Sequence, residues 1–277
     1  MDTQNSMTQQ LKPETLLETI EYRVARSKEE LEKAYFLVYK EYLKKGYVKE
    51  SEAQLKYSLY NAMPDTTTFV TVLENEIFAT ATLIPDSPLG LPMDDIYNKE
   101  LNQFRQERKK ICEISMLASD TGLFQDGVSM MLNSKKMFFI FYLFKTLFDY
   151  AIEYMHLDCI CITINPKHNL TYDFLLFKTI GELKTYDNAN GAPAIAKYLD
   201  LNTVEAECKN SNKEGLYRMF FQRKTPADKF ANKFKLRPED LIHFFVKKST
   251  IFQETPDTQL NYIKRCYPSY DFSVMTP

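Results

Sequence analysis

The chain has 277 residues, enough for one large domain with an appendage. Its 35 Lys and Arg stand against 37 Asp and Glu, a near-neutral balance that speaks against a nucleic-acid partner. Five cysteines, an odd number with no CxxC pair, and three scattered histidines exclude a disulfide scaffold and a structural zinc site, so no metal is expected.

Residues 1–20 are polar and lack the apolar segment of a signal peptide, so a loose N-terminal arm is expected. A first short strand is predicted over Glu21–Ala25. Ser27 and Glu30 have the spacing of a capping box, opening a helix whose apolar positions Leu31, Ala34, Tyr35, Val38 and Tyr42 recur at helical spacing until Gly46. Phe69–Leu73 and Ile77–Ile84, joined by Glu74-Asn75-Glu76, read as an antiparallel hairpin. Three prolines and a glycine in Pro85–Pro92 take the chain out of the sheet, and Asp94 or Asp95 can cap a helix to about Glu107. A strand over Ile111–Ala118, a polar loop to Ser129 and a very apolar helix over Ser134–Tyr154 follow. The most apolar run, Met137–Phe144, is too short to span a bilayer, which leaves a cytoplasmic protein without a transmembrane segment as the expectation. Then come a strand at Cys159–Ile164, a short helix at His168–Leu176, and strands at Leu183–Tyr186 and Ala194–Leu201. From Val204 the pattern is helical, broken by Pro226, Pro238 and Pro256. This divides the chain into an arm (1–20), an α/β core (21–203) and a helical extension (204–277).

The strand Ile111–Ala118 carries the chemistry. Regular alternation puts Cys112, Ile114, Met116 and Ala118 on one side and Glu113, Ser115 and Leu117 on the other. A carboxylate and a hydroxyl then share one face of a central strand, where an ionisable group requires a partner or a task.

The element order β-α-β-β-(α)-β-α-β-α-β-β is the layout of GNAT-type N-acyltransferases. Glu113-Ile114-Ser115 followed by an apolar pair resembles the Glu-apolar-Ser motif of the acyl-homoserine lactone synthases and of the related long-chain N-acyl amino acid synthases. Tyr39-Lys40-Glu41-Tyr42 with Gly46-Tyr47, Pro64-Asp65-Thr66-Thr67-Thr68-Phe69, Gly90-Leu91-Pro92-Met93-Asp94 and the run from Asn165-Pro166-Lys167-His168 to Leu199-Asp200-Leu201 resemble the latter family, over roughly residues 21–201. The resemblance implies a GNAT-type fold of the α/β (α+β) class, with a mixed, mostly antiparallel sheet between helices. It also implies transfer of a long-chain fatty acyl group from an acyl-phosphopantetheine thioester to the amine of an amino acid or similar small acceptor. Met116 stands where the homoserine lactone synthases carry Arg, which argues against an S-adenosylmethionine-type acceptor. Gly122, Gln125 and Gly127 lack the spacing of the pyrophosphate-binding loop of coenzyme A-dependent enzymes. Acyl carrier protein is therefore the donor implied, and no tightly bound cofactor.

The reaction needs a base for the amine, a donor for the thioester oxygen and an acid for the leaving thiolate. Glu113 is the candidate base, oriented by Ser115, and a strand N–H near Leu117 is the oxygen's candidate donor. Tyr172 falls where many GNAT enzymes carry the thiolate's acid, and His168, one helical turn before it, is a further catalytic or bracing candidate. Met116, Leu117, Met137, Phe138, Phe141 and Tyr142 are candidates for an acyl slot against the long helix. Arg223, Lys224, Lys229 and Lys233 belong to a basic run, from Arg218 to Arg237, suited to docking an acidic carrier protein. Two other readings stay open: a coenzyme A-dependent acyltransferase acting on another amine, and a non-catalytic module binding an acyl lipid or carrier.

Overall fold

The computed structural model describes residues 19–120, 129–211 and 213–272, with the backbone alone for residues 129–137 and for Asn188. The expected N-terminal arm, except Thr19 and Ile20, and the loop carrying Gly122, Gln125 and Gly127 lie outside the described residues.

Seven strands form one sheet: β1 (Glu21–Val24), β2 (Thr67–Leu73), β3 (Glu76–Pro85), β4 (Ile111–Ser119), β5 (Cys159–Ile164), β6 (Lys178–Tyr186) and β7 (Ala192–Asp200), in the order β1-β2-β3-β4-β5-β7-β6. Every neighbouring pair is antiparallel except β4 and β5, which run parallel. The expected GNAT-type layout is thus observed, strand for strand. The β2–β3 turn places Glu74 and Asn75 at φ of 50° and 68°, the left-handed pair of a tight hairpin turn.

Helix α1 (Lys28–Lys44) is capped by Ser27, whose hydroxyl accepts from Glu30 N–H at 3.2 Å. Glu30 does not close the reciprocal half of the box. Its carboxylate takes Arg26 N–H at 2.7 Å and both arms of the buried Arg23 guanidinium, because that cation needs a counter-charge more than Ser27 N–H needs an acceptor. Helix α2 (Asp94–Gln106) follows the proline-rich loop. There Arg105 clamps the carboxylates of Asp86 and Asp94, and Asp94 also accepts from Leu91 N–H at 2.6 Å. Helix α3 (Ser129–Asp149) begins five residues before the expected start and passes into a π turn over Tyr150–Tyr154. Helix α4 (Asn169–Phe174) is a short helix entered through the 3-10 turn Pro166–His168.

Strand alternation sorts the core into two faces. Cys112, Ile114, Ile160 and Ile162 pack with Leu143, Phe144, Leu147 and Phe148 of α3. On the opposite face, Val70, Val72, Met116 and Ala118 pack with Leu31, Ala34, Tyr35 and Val38 of α1, while Ile84, Ile111 and Cys161 pack with Tyr97 and Leu101 of α2. The helical chain after residue 203 supplies both faces. Leu216, Phe220 and Phe230 join the α3 side, and Leu241, Phe244 and Phe245 join the α1 side.

Gly90 has a φ of +73°, and a Cβ there would lie 2.7 Å from Asp94 Oδ2. Gly90→Ala should destabilise the protein by about 1–2 kcal/mol through the left-handed backbone alone, more if the Arg105 clamp is displaced. Urea unfolding of the two proteins measures this difference.

Candidate active site

The parallel pairing of β4 and β5 ends early. Ile111, Cys112 and Glu113 face Cys159, Ile160 and Cys161, after which β5 runs on to Ile164 and β4 to Ser119 without pairing to each other. A cleft of about 290 Å³ opens from this parting, with Ile114–Leu117 along one wall and Ile162–Asn165 along the other. Separating two strands leaves backbone N–H and C=O groups facing the gap, where an extended ligand can pair with them.

Glu113 sits at the apex of the cleft. It is 3% exposed, and its Oε2 accepts one hydrogen bond from Met93 N–H at 2.8 Å. Burial, with Asp94 and Asp95 nearby, pushes its pKa up to about 8 against the single backbone hydrogen bond. Glu113 therefore holds or releases a proton near neutrality, as a general base requires.

A bulge reshapes β4 beyond this point. Thr82 faces Ser115 and Thr80 faces Ala118, so Met116 and Leu117 together oppose Ala81 alone, with Met116 at a φ of 52°. The extra residue reverses the alternation. Met116 and Ala118, expected opposite Glu113, pack on the α1 face with it, while Leu117 packs toward the α3 cluster. The bulge also takes a backbone N–H out of one-to-one pairing beside the cleft.

Tyr172 faces the cleft from α4, its ring held edge-on by Phe144 and Phe177 at 5.9 and 5.6 Å. Burial raises its pKa, with Tyr42 adding to the effect, so the phenol keeps its proton. Among the described residues its hydroxyl has no hydrogen-bond partner, nor has that of Ser115, and both line the cleft. Lys56 and Ser58 complete the wall opposite β5, on an extended segment that the sequence assigned to no element.

The model of the N-acyl amino acid synthase FeeM family matches residues 33–200. The structure of FeeM, an N-acyl amino acid synthase from uncultured soil microbes, is 32% identical to the chain and superposes with a TM-score of 0.57, covering 68% of this chain and 93% of that one. The chain belongs to the N-acyl amino acid synthase family. It is accordingly an N-acyltransferase. Weaker likenesses extend to the AHL synthase LasI (11% identity, 75% of this chain and 96% of that one, TM-score 0.48). They also include the spermidine N-acetyltransferase SpeG of Vibrio cholerae (13% identity, 68% and 96%, TM-score 0.42). No curated protein matches the chain.

In this synthase, Glu113, Ser115, Met116, Leu117 and Tyr172 come together in one cleft. His168 is exposed in the 3-10 turn and outside the lining, because α4 begins only at Asn169 and turns its inner face at Tyr172. Phe138 and Tyr142 are half exposed on α3, Phe141 stacks on Phe174 at 5.9 Å, and the side chain of Met137 lies outside the described residues. None of the three aromatics lines the cleft, since α3 covers the face that Met116 turns away from. Arg223, Lys224 and Lys229 line a separate surface groove with Tyr142 and Arg218, where Lys224 pairs with Glu153. Lys233 departs from them. Phe230 is anchored in the core, and Lys233 donates to Pro64 O at 2.9 Å on another side of the molecule. Lys56, Ser58, Tyr60 and Asp95 are lining residues that the sequence reading missed. The alternation of Lys56, Tyr57, Ser58, Leu59 and Tyr60 was the available signal. Among the described residues no group of three or more His, Cys, Asp or Glu could hold a metal ion, and no described helix is long and apolar enough to cross a membrane.

Because the Glu113 pKa is raised from its ordinary 4.5 to about 8, the native state binds this proton more tightly than the unfolded chain does. The stability this provides is fully present below the unfolded value and is lost as the pH rises through the folded one. Glu113→Gln should therefore gain on wild type by on the order of a few kcal/mol between pH 5 and pH 9. Denaturant unfolding of both proteins at the two pH values checks the sign.

Proposed function

We propose that this N-acyltransferase moves a long-chain fatty acyl group from an acyl-phosphopantetheine thioester to the amine of an amino acid or similar small acceptor. The observation that carries the reading is the buried Glu113 carboxylate at the apex of the β4–β5 parting, with a protonated Tyr172 in the same cleft. The amine nitrogen attacks the thioester carbonyl, Glu113 accepts the proton that the ammonium loses, and the backbone at the β4 bulge donates to the carbonyl oxygen. As the C–N bond forms and the C–S bond breaks, Tyr172 gives its proton to the departing thiolate, and the second proton that the nitrogen sheds on becoming an amide restores the Tyr172 phenol. Ser115 orients Glu113 or the acceptor. His168, exposed at the turn, braces the start of α4. Met116 and Leu117 would border the thioester end of the acyl chain; Phe138, Phe141 and Tyr142 lie on α3 outside the cleft lining and would meet only a chain that passed between β4 and β5 to the α3 face. We assign the reaction to a core of residues 21–203, with the extension 204–277, whose described residues pack on both faces, in a cytoplasmic enzyme without a resident cofactor.

The experiment is to incubate the purified protein with a dodecanoyl thioester and a mixture of the common amino acids, and to identify N-acyl products by mass spectrometry. Wild type should form an N-acyl amino acid, and Glu113→Gln should lower turnover by on the order of a hundredfold or more with folding intact. Bound lipid without turnover would favour a binding module instead.

For the donor we propose acyl carrier protein, on two supports: the missing pyrophosphate-loop spacing and the basic groove at Arg223, Lys224 and Lys229. The carrier thioester should react faster than the matching acyl-coenzyme A. Charge reversal at Arg223 and Lys229 should raise the KM for the carrier and flatten its salt dependence. Equal use of both donors, unaffected by the reversals, would favour the coenzyme A-dependent alternative.

A further inference from the structure

We propose that Lys56 is the acceptor-specificity residue of the cleft, binding the carboxylate of the amino-acid acceptor while its amine lies toward Glu113. The inference rests on the function proposed above and names what in the cleft selects its acceptor.

The backbone fixes where Lys56 points. Its N–H donates to Tyr35 O on α1 at 3.1 Å. The next residue, Tyr57, is buried, its ring 5.0 Å from Tyr35 and 5.7 Å from Phe244, and its hydroxyl donates to Phe244 O. In an extended chain, alternate side chains take opposite sides. With Tyr57 anchored in the core, Lys56 and Ser58 turn the other way, and both line the cleft. The Phe244 that holds Tyr57 comes from the helical extension, so that extension sets the acceptor wall.

The charge arrangement then singles out Lys56. The other lysines that are buried, or whose pKa burial lowers, have partners: Lys145 pairs with Asp149, Lys197 with Asp173 and Thr179, and Lys233 with Pro64 O. Lys56 has neither an ion pair nor a hydrogen bond to its ammonium among the described residues, although it is only partly exposed. Burial alone lowers its pKa, with no acid to oppose the shift. A cation partly removed from water and left without a counter-ion is unfavourable, and a ligand carboxylate would remove that cost. The same cleft holds the Glu113 carboxyl and the Asp95 side chain. Its lining therefore offers an acid for an ammonium and a cation for a carboxylate, the complement of an amino-acid zwitterion. An amine without a carboxylate would leave Lys56 unmatched.

Binding can be measured without turnover. The probes are N-dodecanoylglycine, which carries the carboxylate of the expected product class, and its methyl ester, each titrated calorimetrically into wild type, Lys56→Met and Lys56→Arg. Wild type should bind the acid about tenfold to a hundredfold more tightly than the ester, the range of one charge-assisted hydrogen bond. Lys56→Met should bind both alike, and at the wild-type affinity for the ester, while Lys56→Arg should restore part of the preference. A merely structural lysine would weaken both ligands equally. Equal binding of acid and ester by wild type, a preference retained in Lys56→Met, or no binding of either ligand overturns the inference. If wild type instead shows the preference in this titration and forms no amide with any amino acid, the proposed function fails and the carboxylate site stands.

Discussion

The hydrogen bond from Met93 N–H to the Glu113 carboxylate is the contact on which the site depends. A carboxyl that is 3% exposed gives up nearly all its water, and one backbone donor returns only part of that solvation. The remainder appears as a proton held up to about pH 8. The donor must stay in place for this balance to hold. Met93 is fixed because Arg105 ties Asp86 to Asp94, Asp94 takes Leu91 N–H, and Gly90 supplies the left-handed turn that brings them together. Asp94 contributes a second effect, since its charge opposes ionisation of Glu113. One acid thus both builds the loop and raises the Glu113 pKa.

Two irregularities in an otherwise regular sheet make room for a ligand beside that base. The early end of β4–β5 pairing opens the gap, and the bulge at Met116 and Leu117 turns the β4 wall toward it. Neither irregularity is favourable in isolation. Parted strands forgo ladder hydrogen bonds, and Met116 at a φ of 52° carries backbone strain. The surrounding packing holds them open: Cys112 and Ile114 are locked against α3 on one face, and Met116 and Ala118 against α1 on the other. The strand is twisted between two fixed anchors.

Most of the fold was legible because its signals are local and repetitive. The Ser27 cap, the Glu74-Asn75 turn, the prolines of the loop before α2 and the apolar runs of β5 and α3 each act within a few residues, and the element order follows from them. The site was legible only as far as Glu113, Ser115 and Tyr172, which sit on elements that periodicity can locate. The faces of Met116, Leu117 and Ala118 were not, since one extra residue in the strand inverts everything after it and no residue type announces it. Nor was Lys56. Its direction is set by Tyr57, and Tyr57 is held by Phe244, 187 residues further along the chain. That Lys233 leaves the surface shared by Arg218, Arg223, Lys224 and Lys229 was not legible, for a similar reason. Neighbours in sequence were separated once Phe230 took its place in the core.

That long-range dependence bears on how acceptor choice can change within such a scaffold. One wall of the cleft is built from strands of the seven-stranded sheet, whose register is fixed by side-chain alternation and so resists local change. The opposite wall is built from Lys56–Tyr60, a segment extended as far as Ser58 and then entering the 3-10 turn Leu59–Ala62; it has no strand partner and takes its position from α1 beneath it and from Phe244 and Phe245 of the extension. Substitutions on the exposed side of that segment leave the sheet, the base and the bulge untouched. A change in that wall is therefore available at small cost to folding, whereas a change around Glu113 or the β4 bulge is not. The division follows from which wall carries ladder hydrogen bonds and which does not, and it separates a rigid, sheet-built half of the cleft from an adjustable half.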